Sequence, residues 1–101
     1  MNRLPVRNAG DRALCLFLEP YGEDYWIAPG QALCVQATAD DVDAQFDVTA
    51  GPDLVSVWIH ERGDCAKAVL DYQVTDEHGE RVECGHQRPS DQPAPRAPVC
   101  G

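Results

Sequence analysis

Turn-forming residues cut this chain at short intervals, and no other feature restricts its fold as much. Asn8-Ala9-Gly10-Asp11, Pro20-Tyr21-Gly22, Pro29-Gly30, Ala50-Gly51-Pro52-Asp53, Glu61-Arg62-Gly63-Asp64 and the polar run Thr75–Glu80 punctuate the sequence. Glycine supplies the dihedrals that turns need, proline presets them, and Asn and Asp fold back on their own backbone. The segments between the turns are short and mostly alternate apolar with polar residues, which is the strand period rather than the helix period.

Leu4–Asn8 alternates, and Pro5 suits an edge strand or a strand start. Ala13–Leu18 is apolar at every position, so both of its faces need cover. Leu14, Leu16 and Leu18 share one face and Cys15 and Phe17 the other. Tyr25–Ile27 and Ala32–Thr38 follow, then an acidic loop at Ala39–Asp43. Gln45–Thr49 turns Phe46 and Val48 inward. In Leu54–His60, Val55, Val57 and Ile59 share one face, and Trp58 and His60 share the other. Cys65–Val74 fits a strand by alternation and a helix by its Asp64 cap and its Ala, Lys and Leu content; the strand is preferred because its neighbours are strands. Arg81–Cys84 reads as a last short strand.

Seven or eight short strands predict an all-β chain: a single antiparallel β-sandwich, immunoglobulin-like or jelly-roll-like. At 101 residues there is room for one domain, assigned to residues 1–84. From Gly85 the sequence is GHQRPSDQPAPRAPVCG, rich in proline and poor in groups to bury, so residues 85–101 read as a proline-rich C-terminal tail. The opening pattern resembles the start of immunoglobulin-like sandwich domains in architecture, without the buried Cys…Trp…Cys triplet of antibody domains.

The charge balance sets the partners. Eight Lys and Arg face 17 Asp and Glu, a net charge of −9. Such a chain repels nucleic acid and anionic membranes, and favours basic partners or cations. The N-terminal residues hold no apolar run of signal-peptide length, so a cytoplasmic location is expected. There Cys15, Cys34, Cys65, Cys84 and Cys100 would mostly stay reduced, and their odd number argues against a complete disulfide framework.

Three strings belong together: Asn8-Ala9-Gly10-Asp11-Arg12-Ala13-Leu14, Leu18-Glu19-Pro20-Tyr21-Gly22-Glu23, and Ile27-Ala28-Pro29-Gly30. They resemble a group of small, uncharacterised β proteins of bacteria, mostly actinobacteria, that share an N-x-x-D-R-x-L…LEP(W/Y)GE…PPG pattern. Ala28 stands where that pattern often has its first proline, and the resemblance covers about the first third of the chain. It implies a bacterial cytosolic β-domain and carries no chemistry.

The candidate site starts from ring density. Glu19, Glu23 and Asp24 lie among Tyr21, Tyr25 and Trp26, and carboxylates beside aromatic rings can hold a cationic group. With Trp58, if its face is outward, Tyr21, Glu23, Tyr25 and Trp26 make an aromatic and acidic surface for a protein partner or for a homodimer. The opposite reading buries the rings and leaves the acids in solvent. His60, Cys65, Cys84 and His86 are zinc-ligand types, but their spacing lacks a C-x2-C knuckle. Cys15 and Cys34 are expected to share a face on neighbouring strands. No residue is assigned a catalytic role, and no cofactor or metal is expected. The first expectation is a non-enzymatic protein-binding or self-assembly module. A Cys/His metal-binding or redox protein, and an acidic decoy for a basic partner, are the alternatives.

Overall fold

The computed structural model describes residues 3–38, 43–69 and 71–90, apart from the side chain of Cys65. Most of the acidic loop, Leu70, and residues 91–101 with Cys100 lie outside the described residues. The chain forms no helix among them. It forms eight strands: β1 (Arg3–Arg7), β2 (Leu14–Glu19), β3 (Glu23–Ile27), β4 (Ala32–Ala37), β5 (Ala44–Ala50), β6 (Leu54–Glu61), β7 (Asp64–Ala68) and β8 (Tyr72–Thr75). They build two sheets, one ordered β1-β4-β8 and the other β3-β2-β6-β5 with β7 also paired to β6, and the fold is a β-sandwich.

Period-2 alternation chooses the core. Leu16 and Leu18 of β2, Tyr25 and Ile27 of β3, and Val57 and Ile59 of β6 face Leu33, Val35 and Ala37 of β4 and Val74 of β8. Each fully buried Leu, Ile or Val contributes roughly 1.5–3 kcal/mol relative to an exposed position. Short turns set the registers. Gly51 N donates to Leu54 O at 2.7 Å, which closes the β5–β6 hairpin over Pro52 and Asp53. At the β2–β3 turn Gly22 takes φ +73°, where a side chain would be strained, and its N–H donates to Leu18 O.

One pairing departs from the antiparallel expectation. β2 runs parallel to β6, with Leu16 opposite Val55 and Leu18 opposite Val57, while the other ladders are antiparallel. Between β2 and its parallel neighbour β6 the chain therefore leaves the sheet for β4 and returns through β5, since no hairpin can join parallel strands. β2 lies between β3 and β6 and is buried on both faces, as its unbroken apolar run required. Phe17 on the outer face is only 2 % exposed. Asp24 and Ser56 flank it in register, and Trp26 and Trp58 stand at the diagonal positions, within reach of large rings.

Four further expectations change. Cys15 and Cys34 are both buried free thiols, but β2 and β4 belong to different sheets, so they share no face. Val48 is 50 % exposed because β5 ends its sheet and its inner face overhangs the core. Residues 65–74 form two strands, β7 on β6 and β8 on β4, rather than one. Arg81–Cys84 is not a strand. Asp76 Oδ1 accepts from the N–H groups of His78 and Glu80 and closes a tight turn. The return then bonds only briefly to β8, through Val82 N to Val74 O and one bridge at Arg81, before Gly85 diverts it at φ +85°.

Candidate functional site

The aromatic and acidic residues of β3 part company at the first peptide. Neighbours on a strand point to opposite faces, so Glu23 and Tyr25 look toward the other sheet while Asp24 and Trp26 look outward. The single surface expected from the sequence is two sites, one on each face of β3.

On the inner side Tyr21, Tyr72 and Tyr25 converge on Glu23. The rings of Tyr21 and Tyr72 stack with centroids 4.4 Å apart. The Tyr25 hydroxyl donates to Glu23 Oε1 at 3.1 Å, and the Tyr72 hydroxyl donates to the same oxygen. The Tyr21 hydroxyl instead donates to the Val69 carbonyl, tying the β2–β3 turn to the segment after β7 that bonds to β6. Burial, reinforced by the Glu23 charge, pushes Tyr21 up to about 12 and raises Tyr25 and Tyr72 as well. All three phenols remain donors near neutral pH. Beside them lies a hollow of about 200 Å³ whose walls include Glu23, Tyr72, Gln73, Arg81 and Glu83. Both hydroxyls land on Oε1, so the Oε2 lone pairs of Glu23 remain for a donor brought into the hollow.

On the outer side Asp24, 1 % exposed, anchors the start of the proline-rich segment. Arg88 grips both carboxylate oxygens, through Nε to Oδ2 at 2.7 Å and a second nitrogen to Oδ1. The Trp26 indole N–H donates to Oδ2 at 2.8 Å, and Cys84 Sγ lies 3.7 Å from Oδ1. The Arg88 bond, with Trp26 adding to it, holds the Asp24 carboxyl below the usual carboxylate range. Gly85 N donates to Asp24 O and Trp26 N to His86 O, so residues 85–88 run along the edge of β3. Trp26 is half-buried beside a second hollow of about 290 Å³ with Arg12, Asp53 and Pro89.

Trp58 is half-buried on the outer face of β6, two strands away from Trp26. His60, next along that face, is 3 % exposed. Its Nδ1 lies 2.9 Å from Glu61 O and its Nε2 2.8 Å from Asp47 Oδ2. Two acceptors want two N–H donors, which only the imidazolium supplies. The Glu61 carbonyl, then Asp47, raise the His60 pKa against the opposing effect of burial.

The four zinc-ligand types are not assembled. His60 lies on β6, whereas Cys84 and His86 lie beside β3, and the Cys65 side chain is outside the described residues. Among the described residues no three of His, Cys, Asp and Glu gather where they could hold a metal ion. Burial, with Asp24 adding to it, pushes the Cys15 thiol up to about 12, which keeps it protonated and a poor nucleophile.

Sequence reasoning missed Tyr72, Arg81, Glu83 and Arg88. Tyr72 carried a signal, an aromatic ring in phase with an alternating run, but nothing local places β8 opposite β3. The fold and the two sites define a small β-sandwich that carries a polar, tyrosine-floored hollow where its sheets meet. Comparison with family models, with curated proteins and with solved structures gave no match for the chain.

Proposed function

We propose that this chain is a non-enzymatic protein-binding module whose inner hollow takes a Lys or Arg side chain from a basic partner. One observation carries the reading: two tyrosine hydroxyls hold a single oxygen of Glu23 at the edge of a concave site, fixing a carboxylate whose other oxygen is uncommitted. A carboxylate held in advance loses less side-chain entropy on binding than a free one. Glu83, also among the lining residues, adds a second acceptor, and the Tyr72 ring adds apolar area for the aliphatic stem of the guest. The net charge of −9 favours encounter with a cationic partner. The proposal keeps the sequence expectations of an immunoglobulin-like module at work in a bacterial cytoplasm.

Titration with an arginine-rich peptide, followed by nuclear magnetic resonance, tests this. Shifts should centre on Glu23, Tyr72 and Glu83, weaken steeply with added salt, and lose about tenfold in affinity in Glu23→Gln, the scale of one charge-assisted hydrogen bond. An unshifted spectrum at millimolar peptide, or equal binding by Glu23→Gln, rules the reading out.

A further inference from the structure

Among the described residues, the sheet edges of this sandwich are protected with one exception. Along β3 the edge is occupied by residues 85–88, with Trp26 N donating to His86 O. Arg81 and Val82 lie against β8. β1 carries Pro5 between Arg3 and Arg7, and β7 has Asp64 and Lys67 beside a register shift at His60/Glu61. Proline, charge and bulges are the usual means of keeping an edge from pairing. β5 has seven residues, AQFDVTA, with no proline and no lysine. Its single charge, Asp47, is tied to His60.

The backbone shows which groups β5 leaves free. The ladder to β6 is bracketed by two hydrogen-bonded pairs, Gly51 N to Leu54 O at 2.7 Å and Arg62 N to Asp43 O at 2.8 Å. Bonded and open positions alternate along an antiparallel strand, and the register is unbroken from Ala44 to Ala50. Both ends therefore give the same parity. Gln45, Asp47 and Thr49 bond to β6, and the N–H and C=O groups of Phe46, Val48 and Ala50 point away from it. Among the described residues nothing pairs with those three on the open side.

We propose that β5 of one copy pairs antiparallel with β5 of a second copy about a two-fold axis at Val48, joining the two five-stranded sheets into one. The free groups allow axes at each residue from Phe46 to Ala50, but axes at Thr49 and Ala50 set Phe46 or Val48 opposite Pro52, which has no N–H to give. An axis at Asp47 sets that carboxylate against its own copy, and an axis at Phe46 sets the exposed valine against Ala44 and leaves Ala50 unpaired. The axis at Val48 sets the half-exposed valine against itself and half-buried Phe46 against Ala50. It also sets Asp47 opposite Thr49, whose hydroxyl can donate to the carboxylate. This pairing uses every free group from Phe46 to Ala50 and brings no like charges face to face. The occupant is a second copy because the strand is complementary to itself in that register.

Sedimentation equilibrium from micromolar to millimolar protein, with amide hydrogen exchange, tests the pairing. The wild-type chain should dimerise, and the N–H groups of Phe46, Val48 and Ala50 should gain protection as concentration rises. Val48→Pro removes N–H groups at the two-fold axis and none from the β6 ladder. It should raise the dissociation constant by about tenfold or more while leaving the circular dichroism spectrum unchanged. Val48→Lys, which cannot disturb the ladder, should do likewise. Two copies of charge −9 repel, so dimerisation should strengthen with salt, opposite to the binding of a basic peptide in the hollow. A wild-type monomer at millimolar concentration overturns the proposal. So does a dimer that survives both substitutions, or protection that appears on another edge.

Discussion

Removing the Arg88 guanidinium should cost this fold more than the loss of an exposed ion pair would. Asp24 is 1 % exposed and accepts from Arg88 and Trp26. Exposed pairs contribute roughly 0.2–1 kcal/mol, whereas stranding one partner of a buried pair costs about 3–5 kcal/mol. The Arg88 side chain keeps 34 % of its exposure, so water can partly replace it, and the indole N–H stays on Oδ2. Arg88→Ala should therefore cost about 2–3 kcal/mol, between the two limits. Against a total stability of roughly 5–15 kcal/mol the loss is large. Arg88→Lys keeps the charge but cannot span both oxygens, and should fall between wild type and alanine. The double variant Asp24→Asn/Arg88→Ala should be less destabilised than the sum of the single changes, by about 1 kcal/mol or more. The pH dependence has a definite sign. Asp24 titrates lower in the folded state than in the unfolded one, so its contribution is present above the unfolded pKa and is lost as pH falls through the folded value. Wild type should lose stability in acid more steeply than Asp24→Asn. Urea unfolding followed by tryptophan fluorescence, with far-ultraviolet circular dichroism as a second probe, measures both effects. An Arg88→Ala variant within about 0.5 kcal/mol of wild type, the range of ordinary surface changes, would refute the reasoning.

His60 should titrate in the opposite sense. Its folded pKa is raised, so its contribution is whole below about 6.5, the unfolded value, and fades as pH rises through the folded one; in unfolding midpoints taken from pH 5.5 to 9, His60→Gln should flatten that decline. Thiol access should follow burial: with iodoacetamide at pH 8 and peptide mass mapping, exposed Cys84 should label in the native protein, and Cys15 and Cys34 only after unfolding.

Strand content was legible because it rests on local chemistry. β2, β4 and β6 declare themselves by apolar spacing, and the hairpin over Pro52-Asp53 by turn residues. The parallel contact of β2 with β6 was not legible, since sequence alternation is the same for either direction. The division of the β3 cluster was written in the sequence and went unused: Tyr25 and Trp26 are adjacent, so one strand cannot present both on one face. Arg88 was hidden for a different reason. A proline-rich composition shows how little a segment can bury as a body, but not that one guanidinium will meet a buried carboxylate 64 residues away.

The two faces of β3 are held by a single run of chain, which explains why clasp and hollow belong to one design. Arg81 and Glu83 stand in the wall of the hollow on the Glu23 side. Cys84 and Arg88 grip Asp24 on the other side, and the backbone between them bonds to β3 at Gly85 and His86. Residues 81–88 thus wrap the strand, starting at β8 and ending on the outer face. A brief contact with β8 could not hold Glu83 at a fixed distance from Glu23, because one bridge and one flanking bond leave the chain free to fray. The Arg88–Asp24 bond supplies the second fixed end. A buried ion pair is often a poor source of net stability and a better source of a defined arrangement. Here the arrangement it defines is the placing of Glu83 relative to Glu23 in the lining of the hollow. Asp24, one of the acids that first suggested a binding surface, supports the hollow from behind β3.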